Sequence, residues 1–125
     1  MNSGENVLVD KSFLFAIRIV TIYKILVQDH KEYVLSKQLL RSGTAIGALI
    51  REAQNAESKA DFVHKLAISQ KECNETIYWI ELLNATDYLK ESDYYLLNEG
   101  ACELLRILRS SILTTKQRMN KPINI

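Results

Sequence analysis

Apolar residues recur along most of the chain at intervals of three and four. One such row is Leu39, Gly43, Ile46, Ile50 and Ala53. A second is Phe62, Leu66, Ser69, Cys73, Ile77, Ile80 and Leu83, and a third is Tyr94, Leu97, Ala101, Leu104, Leu105, Leu108 and Ile112. That spacing marks one face of a helix, and nowhere does the period-two alternation of a strand replace it. The pattern predicts helices over about 10–29, 33–56, 59–86 and 93–119. The punctuation agrees. Asp10 is placed to cap the first helix, with Met1–Val9 left as a loose arm. Ser58 followed by Asp61 is a capping box in weaker form, Ser92 or Asp93 suits the start of the last helix, and Pro122 lies beyond its end. Polar turns at Gln28–Glu32, Asn55–Ser58 and Asp87–Ser92 are short. Short connections make successive helices antiparallel neighbours, so the expected fold is all-α, an antiparallel up-down-up-down four-helix bundle of one domain. Helices of ~25 residues make it roughly 35–40 Å long.

Two features depart from an ordinary bundle. In the first helix Phe13, Ala16, Ile17, Val20 and Val27 form one stripe and Phe15, Ile19, Ile22 and Leu26 another, with Leu14 and Ile25 beyond. A surface helix shows one apolar stripe about 100° wide. A chain of this size cannot bury both, so part of this helix is expected to face another copy. In the second helix Gly43 and Gly47 lie one turn apart, although each Gly costs about 1 kcal/mol relative to Ala. The expected reason is close packing by a neighbouring helix, whose approach a Cβ would block.

Composition narrows the function. The chain has 125 residues, is 47% hydrophobic, and contains one Pro and four Gly, which suits a folded helical domain. Its net charge of +1 supplies no global field for nucleic acid or an anionic membrane, so any such binding needs a local patch. The apolar run Phe13–Val27 is interrupted by Arg18 and Lys24. It fits neither a membrane span nor a signal peptide, and a cytoplasmic location is expected. Cys73 and Cys102 lack paired spacing and read as buried thiols. A di-iron bundle needs two Glu-x-x-His motifs. With two histidines, one in a turn (His30) and one in a single D-x-x-H (His64), no metal is expected. No nucleophile motif or Gly-rich phosphate loop is present, so neither an enzyme nor a cofactor is expected.

Two charged sets remain. Glu72 and Glu75 share a face with Ile68, Trp79 and Leu82. Carboxylates flanked by apolar groups are paired when buried. Arg18, Arg41 and Arg51 are the candidate partners in interhelical or intersubunit ion pairs, and a solvated edge is the alternative. From Arg106 onward the cations Arg106, Arg109, Lys116, Arg118 and Lys121 meet no acidic side chain, and Arg41, Lys59, Lys65 and Lys71 add basic positions on helices 2 and 3. Cations near a helix end complement its dipole. Repeated around a ring, they would also make a basic surface for nucleic acid.

The motifs R-S-G-T-x-I-G-A-x-I-x-E-A (from Arg41), S-K-A-D-F-x-H-K-L (from Ser58) and K-E-x-x-E-T-x-Y-W (from Lys71) resemble those of the 23S rRNA intervening-sequence proteins. Leu49 departs from the Asn that family members commonly carry. The resemblance implies a four-helix bundle that assembles as a ring-like homopentamer. It also implies kinship in fold with the accessory variability determinants of diversity-generating retroelements, which resemble an RNA- and reverse-transcriptase-binding scaffold. The reading is a non-catalytic homo-oligomer whose basic patches Arg106, Arg109, Lys116 and Arg118 bind RNA or DNA. The alternative is a scaffold for another protein with no nucleic acid involved.

Overall fold

The computed structural model describes residues 3–120, with side-chain surroundings from residue 7 onward. Four helices, α1 (Ser3–His30), α2 (Leu35–Ala53), α3 (Lys59–Ala85) and α4 (Glu91–Met119), account for nearly all of it, and the described residues contain no strand. Consecutive helices pack on one another and α1 closes on α4. Along every settled pair the contacts run in opposite senses. Gly47 and Gly43 meet Ser12 and Ile19, Ile46 and Ser42 meet Ser69 and Thr76, and Glu103 and Gly100 meet Lys11 and Phe15. The bundle is therefore up-down-up-down and antiparallel.

The core is built from the predicted rows. Leu39, Ile46, Ile50 and Ala53 of α2, Leu66, Cys73, Ile80 and Leu83 of α3, and Leu97, Ala101, Leu104 and Leu108 of α4 are all buried. From α1 come Leu8, Phe15, Ile19, Ile22 and Leu26. Five hydroxyls are buried with them, each bonded within the bundle. Ser69 Oγ donates to the Ile46 carbonyl at 3.0 Å, and Thr76 donates to its own Glu72 carbonyl at 2.7 Å while lying 2.9 Å from Ser42 Oγ. A hydroxyl satisfied on the helix backbone can enter a core at little cost. Small residues here let α2 and α3 approach closely.

Three helix starts differ from expectation. α1 begins at Ser3, and Asp10 is an exposed residue inside it rather than a cap. Leu8 is 1% exposed and draws the supposed arm into the fold. α2 begins at Leu35, where the capping group is the Glu32 carboxylate. It accepts the backbone N–H groups of Val34, Leu35 and Ser36 at 3.1, 2.9 and 2.6 Å. α4 begins at Glu91 behind Lys90, which offers no side-chain cap, so Ser92 and Asp93 lie within its first turn. Only at α3 does the predicted cap stand. Ser58 Oγ accepts the Asp61 N–H at 3.0 Å, and the Asp61 carboxylate accepts the Glu57 N–H at 3.2 Å. Pro122 and Lys121 lie outside the described residues. α1 and α3 end by turning through Lys31 (φ 54°) and Asp87 (φ 66°), left-handed positions held by non-glycine residues.

Candidate functional site

The α1 helix presents one face to the core and a second, largely apolar one to solvent. Phe13, Leu14 and Ile17 are 53%, 49% and 48% exposed, with Val7 and Ile25 above and below them. Exposed Asp10 separates Val7 from this row, and exposed Thr21 and Lys24 separate Ile25 from it. The glycines explain how the inner face seats. A Cβ at Gly43 would stand 2.8–3.0 Å from three carbons of Ile19, and one at Gly47 would stand 3.2 Å from Ser12 Oγ. Both glycines of α2 thus serve the approach of α1.

Of the three candidate arginines, the structure brings one to the glutamates. Arg41 Nη1 lies 3.2 Å from Glu72 Oε1, and its Nη2 contacts Glu75 Oε2. Trp79 Nε1 donates to the same Glu75 oxygen at 3.0 Å. The indole donor, helped by Arg41 and opposed by desolvation, holds the Glu75 carboxyl below the ordinary glutamate range. The Glu75 carboxylate in turn raises the Arg41 pKa. This is a register pin between α2 and α3 inside one chain, and it is half exposed. Arg18 and Arg51 form no ion pair among the described residues. Arg51 instead lies over the Phe13 ring, 4.9 Å from its centroid, a cation–π contact between α2 and α1. Arg18 sits half-buried in a groove between α1 and α4, beside Glu99 and Glu103, where Lys11 already engages Glu103 at 3.2 Å. The expected pairing of Arg18 and Arg51 with Glu72 and Glu75 fails because one belongs to α1 and the other leans onto it, away from the α2–α3 seam.

The basic set is exposed as a whole: Arg106, Arg109, Lys116 and Arg118 all face solvent. At 100° per residue, Arg106, Arg109 and Lys116 share one face of α4 with Leu113, whereas Arg118 lies roughly 160° from Lys116. The antiparallel arrangement puts this end of α4 beside the start of α3, which carries Lys59 and Lys65. Arg41 is taken up by its glutamates and adds nothing to a basic patch.

Among the described residues no three His, Cys, Asp or Glu side chains are placed to hold a metal ion. Burial pushes the Cys73 thiol up to about 12, and its Sγ donates to the Ala101 carbonyl at 3.2 Å, so it is a packing group rather than a nucleophile. No described helix is long and apolar enough to cross a membrane.

Comparison with known proteins settles the lineage. The model of the 23S rRNA-intervening sequence protein family matches residues 5–110. The chain belongs to this family. It is similar to a crystal structure from Bacteroides thetaiotaomicron VPI-5482, described as a protein with unknown function from the S23 ribosomal protein family. The two are 53% identical with a TM-score of 0.86, over 88% of this chain and 98% of the other. No functionally curated protein matches the chain. Family membership therefore carries the fold and leaves the role to be argued from the surfaces.

Proposed function

We propose that this family member is a non-catalytic, cytoplasmic, self-associating scaffold, a pentameric ring whose repeated basic faces bind RNA or another nucleic acid. The observation that carries the reading is the outer face of α1, where Phe13, Leu14 and Ile17 stand about half exposed in one row. An exposed cluster of large apolar side chains supports an interaction site. The nucleic-acid half rests on Arg106, Arg109 and Lys116, which share an exposed face of α4 where no acidic side chain follows Glu103. One such face on a subunit of net charge +1 is weak. Copies of it around a ring multiply the phosphate contacts without any change in the subunit.

A second reading has its own support: Leu113, 58% exposed, lies among those cations and would suit a polypeptide partner. Light scattering on the purified protein, followed by RNA and DNA binding across a salt series, separates the two. A stable oligomer whose nucleic-acid affinity falls steeply with salt supports the ring. Arg106→Ala should then make the log–log salt dependence shallower, by about 1 for every phosphate that Arg106 neutralises in the native assembly. A stable oligomer that binds neither nucleic acid supports the protein scaffold. A monomer at high concentration refutes self-association.

A further inference from the structure

The basic face of α4 continues onto α3, and each of the two helices carries an exposed tyrosine at its end. Cys73 Sγ reaches the Ala101 carbonyl at 3.2 Å, which fixes the antiparallel register of the pair. Tyr78 stands five residues on from Cys73, and Tyr95 six residues back from Ala101. The two therefore lie within about one residue's rise, roughly 1.5 Å, of the same height on neighbouring helices. Tyr78 is 56% and Tyr95 57% exposed. Each ring is braced by its chain neighbour, Tyr78 by Trp79 at 5.0 Å between centroids and Tyr95 by Tyr94 at 5.9 Å, in edge-on geometry. From this pair the exposed rows run toward the other end of the bundle. On α3 the row passes through Asn74 and Lys71, and on α4 through Glu99, Arg106 and Arg109 to Lys116. Other carboxylates are turned away from it. Glu72 and Glu75 engage Arg41 on the α2 side, Asp61 closes on the Glu57 N–H, and Glu103 is engaged by Lys11 on the α1 side. Glu99, the one carboxylate in either row, shares a groove with Arg18 and Arg106. Glu81 and Glu91 stand beyond the tyrosines, and Glu57 precedes α3 at the opposite end.

Cations leading to a pair of exposed aromatic rings suit one form of nucleic acid. Phosphates meet the cations, and a ring gains by stacking only on a base that is not already stacked within a duplex. A duplex, gripped through its backbone, would leave both tyrosines unused. We infer that the nucleic acid held by this face is single-stranded, lying along α3 and α4 with its phosphates on Lys71, Arg106 and Arg109 and unpaired bases stacked on Tyr78 and Tyr95. The rise along α4 from Tyr95 to Lys116 is roughly 30 Å, which spans about nine nucleotides at roughly 3.4 Å each. Asn74, exposed between Tyr78 and Lys71, offers an amide donor and acceptor to a base edge. The bracing of the rings by Trp79 and Tyr94 limits the freedom that stacking would cost. This inference rests on the nucleic-acid reading proposed above and adds the form of the strand and the groups that distinguish it from a duplex.

Fluorescence anisotropy on the full chain tests it, with an unstructured mixed-sequence RNA of about 12 nucleotides and the same strand annealed to its complement as probes. The single strand is expected to bind more tightly than the duplex. Tyr78→Ala and Tyr95→Ala should each weaken single-strand binding about 5- to 150-fold and leave both duplex binding and the log–log salt slope unchanged. Arg109→Ala should instead make that slope shallower by about 0.7 for each phosphate it meets. Tyr78→Phe keeps the ring and should bind like the native protein. Both tyrosines are exposed, and circular dichroism verifies the folding of each variant. Either alanine variant suffices should the other not fold. A duplex bound as tightly as the single strand, or alanine variants that bind the single strand like the native protein, overturn the inference while the nucleic-acid reading stands. A native protein that binds neither probe refutes that reading as well and leaves the face to a polypeptide partner.

Discussion

Substituting Gly43 and Gly47 with alanine, one at a time, tests how the bundle is packed. An Ala in place of Gly inside a helix stabilises by about 1 kcal/mol through backbone entropy alone. At Gly43 that gain meets a clash. The new methyl would sit 2.8, 2.9 and 3.0 Å from Ile19 Cγ1, Cδ1 and Cγ2, and Ile19 is fully buried, with nowhere to turn. Overpacking of this kind costs about 1–3 kcal/mol, so Gly43→Ala should destabilise by about 1 kcal/mol net. At Gly47 the nearest atoms are Ser12 Oγ at 3.2 Å and Ser12 Cβ and carbonyl oxygen at 3.4 Å, close to ordinary contact. There the two effects offset each other to within about 0.5 kcal/mol. Urea denaturation followed by circular dichroism, at one fixed protein concentration, measures both. The sharper test is a double-mutant cycle. Ile19→Ala removes Cγ1, Cδ1 and Cγ2 together and should relieve Gly43→Ala by about 1 kcal/mol beyond additivity. Equal stabilities for the two alanine variants, or an additive double mutant, would refute the account.

Glu75→Gln should lower stability by only about 0.5 kcal/mol, because Arg41 and Glu75 are half exposed and their attraction is screened. The spectroscopic effect should be clearer, since Trp79 is the one tryptophan and donates to this carboxylate. Glu75 has a depressed folded pKa. Its contribution is thus full above the unfolded glutamate value and is lost as pH falls through the lower folded one. Trp79 fluorescence should titrate in that acid window in the native protein and not in Glu75→Gln; an unchanged midpoint would show that another group is being read. Glu32→Ala should cost about 1 kcal/mol in urea denaturation by uncapping α2. Burial pushes the Glu32 carboxyl up, but the N–H groups of Leu35, Ser36 and Val34 outweigh it and leave its pKa lowered, so this contribution too should fade on acidification. A stability unaffected by Glu32→Ala would mean the cap is idle.

What could be read from the sequence were the features of period 3.6. Leu39 through Ala53 or Leu66 through Leu83 announce their burial by spacing, and Gly43 and Gly47 announce a close neighbour by being out of place in a helix. Other features depend on geometry that spacing does not carry. Glu32 caps α2 from outside the usual cap position because its longer side chain reaches forward over the helix start. Glu32 is held in place by its N–H donating to the Leu26 carbonyl and by the Ser36 hydroxyl donating to its own carbonyl, contacts that the spacing does not show. Thr76 and Ser42 count as polar in any pattern, yet they are buried because their hydroxyls find partners inside the bundle. Among Arg18, Arg41 and Arg51, the antiparallel register of α2 against α3 alone decides that Arg41 meets Glu72 and Glu75. The doubly apolar pattern of α1 was legible as a surplus. Which stripe turns outward was not, because both have the same spacing.

That surplus can be weighed. Burying a fully exposed Leu, Ile or Phe side chain is worth about 1.5–3 kcal/mol. Phe13, Leu14 and Ile17, each about half exposed, would thus contribute about 1 kcal/mol apiece on being covered. Association costs about 4–15 kcal/mol in lost freedom before any contact is counted. Roughly 3 kcal/mol from one copy and as much from its neighbour lies only about 2 kcal/mol above the bottom of that range. The α1 row alone therefore supports a weak pair at most. The proposed assembly therefore needs further surface covered beyond this row, with each copy meeting two neighbours at once. The proposed ring would do this. The last contact forms within an assembly that has already met the cost of bringing its members together. Assembly should accordingly pass from monomer to closed oligomer over a narrow concentration range, with little open pair between, as dilution followed by light scattering would show.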